Sequence, residues 1–401
     1  MRAPSTRRVW APACVAAATL ASIFALAAFD APQPATHGDL GFVVTQFEYA
    51  LSATPGDAQT CPHGLTAGYA NVGDVLPGQA ALQRGADETD AAYSRRTFGQ
   101  MFGSTETLCM HPERGAPDPN FRSVANSTEP TMGGIDLDGQ VSRAGGRPAP
   151  NTCAHDDFQG PSGQRGIDNQ FYRTVGCSAG FQPNGTSRDL VSEMLTGTWG
   201  VLLTVRGVDN VQNDPSVDVG FFANADPISL GAARTPLLNA SYSTIADPRF
   251  RTIAHGRIVN GVLTTDPADV RFYSVFNTVK TERFLRHAQV RMTFTPDGGL
   301  DGYLAGYTPI DAMYDVQFGF RTGTELSGER ASATLINTRS IGQAITFGRF
   351  TCQGVYQALQ QNADGDRDPA TGRCSSISTQ YHIRAMPAFV VDEPAQHAQA
   401  N

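Results

Sequence analysis

The spacing of hydrophobic and polar positions changes character near residue 187. From Gly197 onward, short runs of β-forming residues are separated by turn clusters, first at 198–205 and 217–222. The stretch 253–264 carries Asn260-Gly261 between two apolar segments, the strongest short hairpin signal a sequence offers. A run at 270–276 follows. Over 288–294, Ala288, Val290, Met292 and Phe294 alternate with Gln289, Arg291 and Thr293, the period of a half-buried strand. Further strand-like runs fall at 302–307, 316–320, 331–336 and 344–350, and extended chain closes the pattern at 377–391. Two short helices are expected, at 188–195 behind Ser187 and at 353–360. So many short strands divided by turns predict a β-sandwich or jelly roll over 187–392.

The first half reads differently. Residues 61–186 are rich in Cys, Gly and Pro, and neither helical nor strand periodicity lasts there. They predict an irregular region tied by disulfides, preceded by a leader at 28–60 with one strand-like run at 41–44. A disordered tail is expected at 393–401. At the N-terminus, Arg2, Arg7 and Arg8 precede an uncharged apolar run at 9–29 that ends in Ala25-Leu26-Ala27. This is the layout of a cleaved signal peptide, residues 1–27, although an uncleaved anchor of that length can span a bilayer. Cleavage would leave an exported protein, secreted or periplasmic, with no membrane span.

Composition narrows the chemistry. The 401 residues include 38 acidic and 30 basic side chains, a formal charge of −8. That balance argues against nucleic acid as a partner. Lys280 is the sole lysine, so no phosphate loop of the GxxxxGK[ST] kind exists, and no dinucleotide fingerprint follows a strand. No nucleotide cofactor is expected. A GxSxG nucleophile elbow is also absent.

Beyond Cys14 in the apolar leader, six cysteines remain: Cys61, Cys109, Cys153, Cys177, Cys352 and Cys374. An even number in an oxidising compartment predicts three disulfides. Pairing of nearest neighbours is expected, 61 with 109, 153 with 177 and 352 with 374.

Two motif groups are candidates for metal chemistry. Cys61-Pro-His63, Cys109-Met-His111 and Cys153-Ala-His155 repeat one spacing. If the cysteines anchor their segments, the three imidazoles can face one point and form a zinc or copper site. Asp156 and Asp157 would then be further ligands or orienting groups. Separately, Asn362, Asp364, Asp366 and Asp368 alternate around Gly365 between two cysteines, which suits a Ca²⁺ loop, although position twelve of an EF-hand would be Arg373. Asp136-Leu-Asp138-Gly139, Gly166-Ile-Asp168-Asn169 and Gly207-Val-Asp209-Asn210 are shorter versions of the same pattern. Plain turn chemistry also explains such loops.

Two functions follow. One is an exported, disulfide-stabilised β-sandwich protein that binds an extracellular glycan or envelope component, with structural Ca²⁺. The other is an exported metal-dependent enzyme, hydrolase or oxidoreductase, built on His63, His111 and His155.

Overall fold

In the computed structural model, residues 38–66, 83–93, 95–96, 109–185, 187, 190–224, 226–276, 279–318, 321–325, 327–332 and 352–391 are described. The expected signal peptide at 1–27, the expected tail at 393–401 and the strand-like runs at 333–336 and 344–350 lie outside them.

The alternating pattern does form strands. They are β1 (Gly38–Tyr49), β2 (Val201–Val208), β3 (Asn213–Ala223), β4 (Ser241–Ser243), β5 (Arg251–Val259) and β6 (Val262–Thr265). Then come β7 (Ala268–Phe276), β8 (Val279–Phe294), β9 (Leu300–Pro309), β10 (Gly365–Arg367), β11 (Cys374–Pro387) and β12 (Phe389–Val391). The Asn260-Gly261 turn joins β5 to β6, with both residues at positive φ, +52° and +73°. Such a turn matches the twist of the strands it connects. In β8, Ala288, Val290 and Met292 are buried while His287 and Arg291 are exposed.

The expectation of a sandwich is overturned. The main sheet runs β1-β2-β3-β5-β6-β8-β9-β11, and β11 pairs back onto β1, with Phe42 opposite Pro387 and Tyr49 opposite Tyr381. Eight antiparallel strands therefore close into a barrel. Alternation and hairpin signals are local and serve sandwiches and barrels equally. Closure depends on a pairing between the two ends of the chain, which leaves no local trace. It also removes the open edges that a sandwich must protect by other means. β7 pairs with β8 off the barrel path, and β10 adds to β11.

The helices are α1 (Gln170–Val175), α2 (Leu190–Leu195), α3 (Ile310–Phe318) and α4 (Cys352–Asn362). The strand expected at 316–320 begins in α3 instead. There Ile310, Met313, Tyr314 and Phe318 are the buried apolar positions, which is helical spacing.

An aromatic group anchors the main core. Phe47 lies 4.6 Å from Tyr381, 5.1 Å from Phe272 and 5.5 Å from Trp199, centroid to centroid. Beside it, the buried Arg283 donates to the hydroxyls of Tyr49 (2.6 Å), Tyr381 (3.0 Å) and Ser274 (2.6 Å).

Within the leader expected at 28–60, Gly38–Tyr49 forms β1 and so belongs to the barrel. Three disulfides form, as expected, but not between neighbours: Cys61–Cys177, Cys109–Cys352 and Cys153–Cys374. Loop-closure entropy grows only slowly with loop length, so short separation is a weak guide to pairing. Two of the bridges tie the irregular first half to α4 and β11. Among the described residues no helix is long and apolar enough to cross a membrane. Three disulfides fit a disulfide-stabilised extracellular protein.

Candidate functional site

One side chain of β11 sets two loops of the irregular first half against the barrel. The Gln380 amide accepts from the Ile135 backbone N–H through Oε1 (2.7 Å) and donates to the Ile135 and Asp168 carbonyls through Nε2 (2.7 and 2.5 Å). Gln380 is buried, and so are Ile135 and Asp168. Gly134 has no Cβ because one would lie 2.4 Å from Gln380 Oε1. Two loops far apart in sequence, 135–140 and 166–169, are thus registered side by side.

Their carboxylates meet. Asp136, Asp138 and Asp168 each offer an oxygen, and these atoms lie within 4.8 Å of one another. Each loop is shaped to hold its acid in place. Asp136 Oδ1 accepts from Gly139 N (2.7 Å), Asp138 Oδ1 from Gln140 N (2.8 Å) and Asp168 Oδ2 from Leu137 N (2.7 Å). Gly166 sits at φ +81°, and a Cβ there would lie 2.7 Å from Asp136 Oδ2. Both its backbone conformation and the nearness of the carboxylate require glycine.

Two further acids stand behind the triad. Asp157 accepts a hydrogen bond from Ser142 N, and Asp364 accepts one from Ser378 N (2.7 Å). Burial pushes Asp157 and Asp364 up to about 7. Burial, with the charges of Asp157, Asp138 and Asp364, pushes Asp168 well above the usual carboxylate range. Asp136 and Asp138 are raised chiefly by burial as well. Carboxylates crowded together out of water resist ionising together, and a divalent cation removes that penalty. The nearby cation is the fully buried Arg173, stacked 4.3 Å over Phe158 and donating to the carbonyls of Ala125, Ser127 and Asp156. Burial lowers it to about 10, and the charges of Asp156, Asp157 and Asp364 oppose that shift.

The three histidines are not brought together. His63 is exposed, His111 Nδ1 lies 3.3 Å from Glu113 Oε1, and His155 Nε2 lies 3.0 Å from the Ala363 carbonyl. Their cysteines belong to three different disulfides. Among the described residues the aspartate triad is the one group of three or more His, Cys, Asp or Glu whose ligand atoms lie close enough together to hold a metal ion, and it contains no histidine. Asp156 caps the Ala144 backbone N–H (3.1 Å), and Asp157 backs the triad.

The 362–368 loop does not converge either. Asn362 Nδ2 donates to Thr174 Oγ1 (3.1 Å), and Asp364 turns inward to Ser378. Asp366 turns to Arg286 (2.8 Å) and Ser376 (2.6 Å), while Asp368 closes its own turn on Ala370 N and Thr371. Asp209 lies in an ordinary turn, its backbone N–H donating to Asp214.

A cleft of about 260 Å³ adjoins the triad, with Asp138 in its wall. Asn151, His287, Gln289, Tyr307 and Asp366 also line it, from the 149–152 turn, a bulge in β8, β9 and β10. Tyr307 was not singled out by sequence. Its phenol is pushed far above its ordinary value by burial and by the charges of Asp168 and Asp364. A second cleft of about 240 Å³, between β8 and α3, is charged but internally paired: Arg271 bonds Glu282, and Arg330 and Arg321 bond Asp315.

No family model, curated protein or solved structure matches this chain.

Proposed function

We propose that the chain is an exported, disulfide-stapled barrel protein that holds Ca²⁺ between Asp136, Asp138 and Asp168 and binds an extracellular glycan or envelope component beside it. The observation that carries this reading is the meeting of two aspartate loops, 135–140 and 166–169, on the Gln380 amide. An all-oxygen donor set suits a hard cation rather than zinc or copper, which favour imidazole and thiolate. Ca²⁺ fits better than Mg²⁺ because it accepts six to eight oxygens in irregular geometry, whereas Mg²⁺ demands an octahedron. The enzyme reading, which needs His63, His111 and His155 at one metal, draws no support from their separate placement.

Calorimetric titration of Ca²⁺ into chelator-stripped protein tests this. One site is expected, and the combined Asp136→Asn and Asp138→Asn variant should lose it. A variant that binds Ca²⁺ as the parent does, or a parent that binds none, overturns the assignment.

A further inference from the structure

The cleft beside the triad contains polar groups that the protein itself leaves unused. Tyr307 is only 6 % exposed and lines the cleft, and its hydroxyl finds no hydrogen-bond partner among the described residues. The hydroxyl is not among the sealed polar atoms left without a partner, so it stays open to solvent or to a ligand, and a ligand that displaces that water must supply its hydrogen bond. The imidazole of His287 stands 3.9 Å from Asp366 Oδ1, beyond hydrogen-bond reach, and the Asn151 amide has no partner among the described residues. Gln289 donates to the Leu137 carbonyl (3.1 Å), which leaves its own oxygen to accept.

The backbone around the cleft is unusual in the same place. Asn151, His287 and Asp366 have φ of +62°, +51° and +54°. They are three of the six non-glycine residues in the left-handed region among those described, and all three line this one cleft. Strained backbone of this kind gathers where side chains are aimed at a ligand.

The lining selects the ligand's chemistry. An apolar molecule would leave Tyr307, Asp138 and His287 unsatisfied. An anion would meet Asp138 and the acids behind it. A polyol offers hydroxyls that both donate and accept, which suits a wall containing a phenol, an amide oxygen, an imidazole and a carboxylate. Pro150 and Pro267 supply apolar faces for the C–H side of a sugar ring. The volume lies below the usual range of about 300–1,000 Å³ for drug-sized ligands, so one ring fits rather than a chain. Because Asp138 is shared with the triad, sugar hydroxyls can also complete the shell of a hard cation.

We propose that this cleft is a saccharide site, in which one pyranose residue bonds to Tyr307, Asn151, His287 and Asp138 and the rest of the glycan lies outside. The inference rests on the Ca²⁺-assisted glycan-binding reading above and names where and how that binding occurs.

Saturation-transfer NMR on the full chain in Ca²⁺ tests it, with the methyl pyranosides of glucose, galactose, mannose, fucose and N-acetylglucosamine as probes. At least one should bind. Tyr307→Phe, which removes only the unpartnered hydroxyl, should weaken that sugar about tenfold, the equivalent of one buried hydrogen bond. Its melting temperature and Ca²⁺ titration should match the parent's. Asn151→Gly, which keeps the backbone conformation, should also weaken the sugar. No binding by any probe, or binding indifferent to both substitutions, overturns the saccharide site. If Ca²⁺ binding is intact in that case, only this inference falls. If sugar binds and responds to Tyr307→Phe but Ca²⁺ does not bind, the cation reading falls and the cleft stands.

Discussion

If the aspartate triad holds calcium as proposed, the effect of one substitution should change sign with the ion, and that is the sharpest test of the site. Asp168→Asn keeps the oxygen that accepts from Leu137 N, and it places an amide donor toward Asp157. In chelator the change removes one like charge from a group whose oxygens lie within 4.8 Å. Two full charges at that distance repel by about 3 kcal/mol at an effective dielectric of 20, an upper bound because burial already favours a proton on Asp168. The variant should therefore melt at the same temperature as the parent, or higher. In calcium the order should reverse. With a dissociation constant of about 10⁻⁴ M, in the range of extracellular Ca²⁺ sites, 10 mM ion stabilises the parent by about 2.7 kcal/mol. Unfolding entropy is about 2.1 cal/mol/K per residue, and the compact unit spans 37–401. One degree is then worth about 0.8 kcal/mol, and the parent should gain about 3–4 °C that the variant lacks. Differential scanning calorimetry in 10 mM CaCl₂ and in EGTA reads both arms. A variant that melts below the parent by the same margin in both buffers would show that Asp168 serves only as a structural cap.

Two further predictions concern the frame around the site. Peptide mapping without reduction should recover the bridges 61–177, 109–352 and 153–374, and the double Cys109→Ser, Cys352→Ser variant should lose about 3–5 kcal/mol, or about 4–6 °C. Recovery of nearest-neighbour bridges, or an unchanged melting temperature, would contradict the fold described here. Asp247 is held below the usual carboxylate range by its hydrogen bond to Arg249, and it also caps the Arg249 backbone N–H. Its folded value is depressed, so its contribution is present above about pH 4 and is lost as pH falls through the folded value. Asp247→Asn should cost about 1 kcal/mol at pH 7 and progressively less toward pH 2; a loss independent of pH would remove the ionic part of that account.

What the sequence discloses, and what it conceals, divides by distance along the chain. The Asn260-Gly261 hairpin, the alternation in β8 and the helix inside 352–362 are local, and the structure bears them out. The barrel is not local, because its closing ladder pairs Phe42 with Pro387. The disulfides follow the same rule. Asp136-Leu-Asp138-Gly139 and Gly166-Ile-Asp168-Asn169 are each visible as short acidic turns, but only the folded position of Gln380 makes them one site. In the 362–368 loop the local pattern and the folded placement differ. Alternate carboxylates would share a side in regular extended chain, but the left-handed backbone at Asp366 breaks the repeat. Asp364 therefore faces Ser378 while Asp366 faces Arg286. The histidine triplets are dispersed for a related reason. Each cysteine fixes its own segment to a different partner, so a common local spacing places the three imidazoles in three different surroundings.

A charge group as unfavourable as this one persists only if the rest of the fold holds it. The restraint comes from β11, the strand that closes the barrel. Gln380 grips both aspartate loops, Ser378 N binds the Asp364 carboxylate, and Cys374 at the head of the strand is bonded to Cys153, four residues before Asp157. The cost of assembling like charges is thereby met by barrel closure and a covalent bond, before any ligand arrives. Under the proposed reading, a site assembled in this way would spend little of its cation-binding free energy on ordering loops. It also ties the cleft to the same strand, since Tyr307 lies opposite Ser378 on β9 and Asp366 bonds to Ser376.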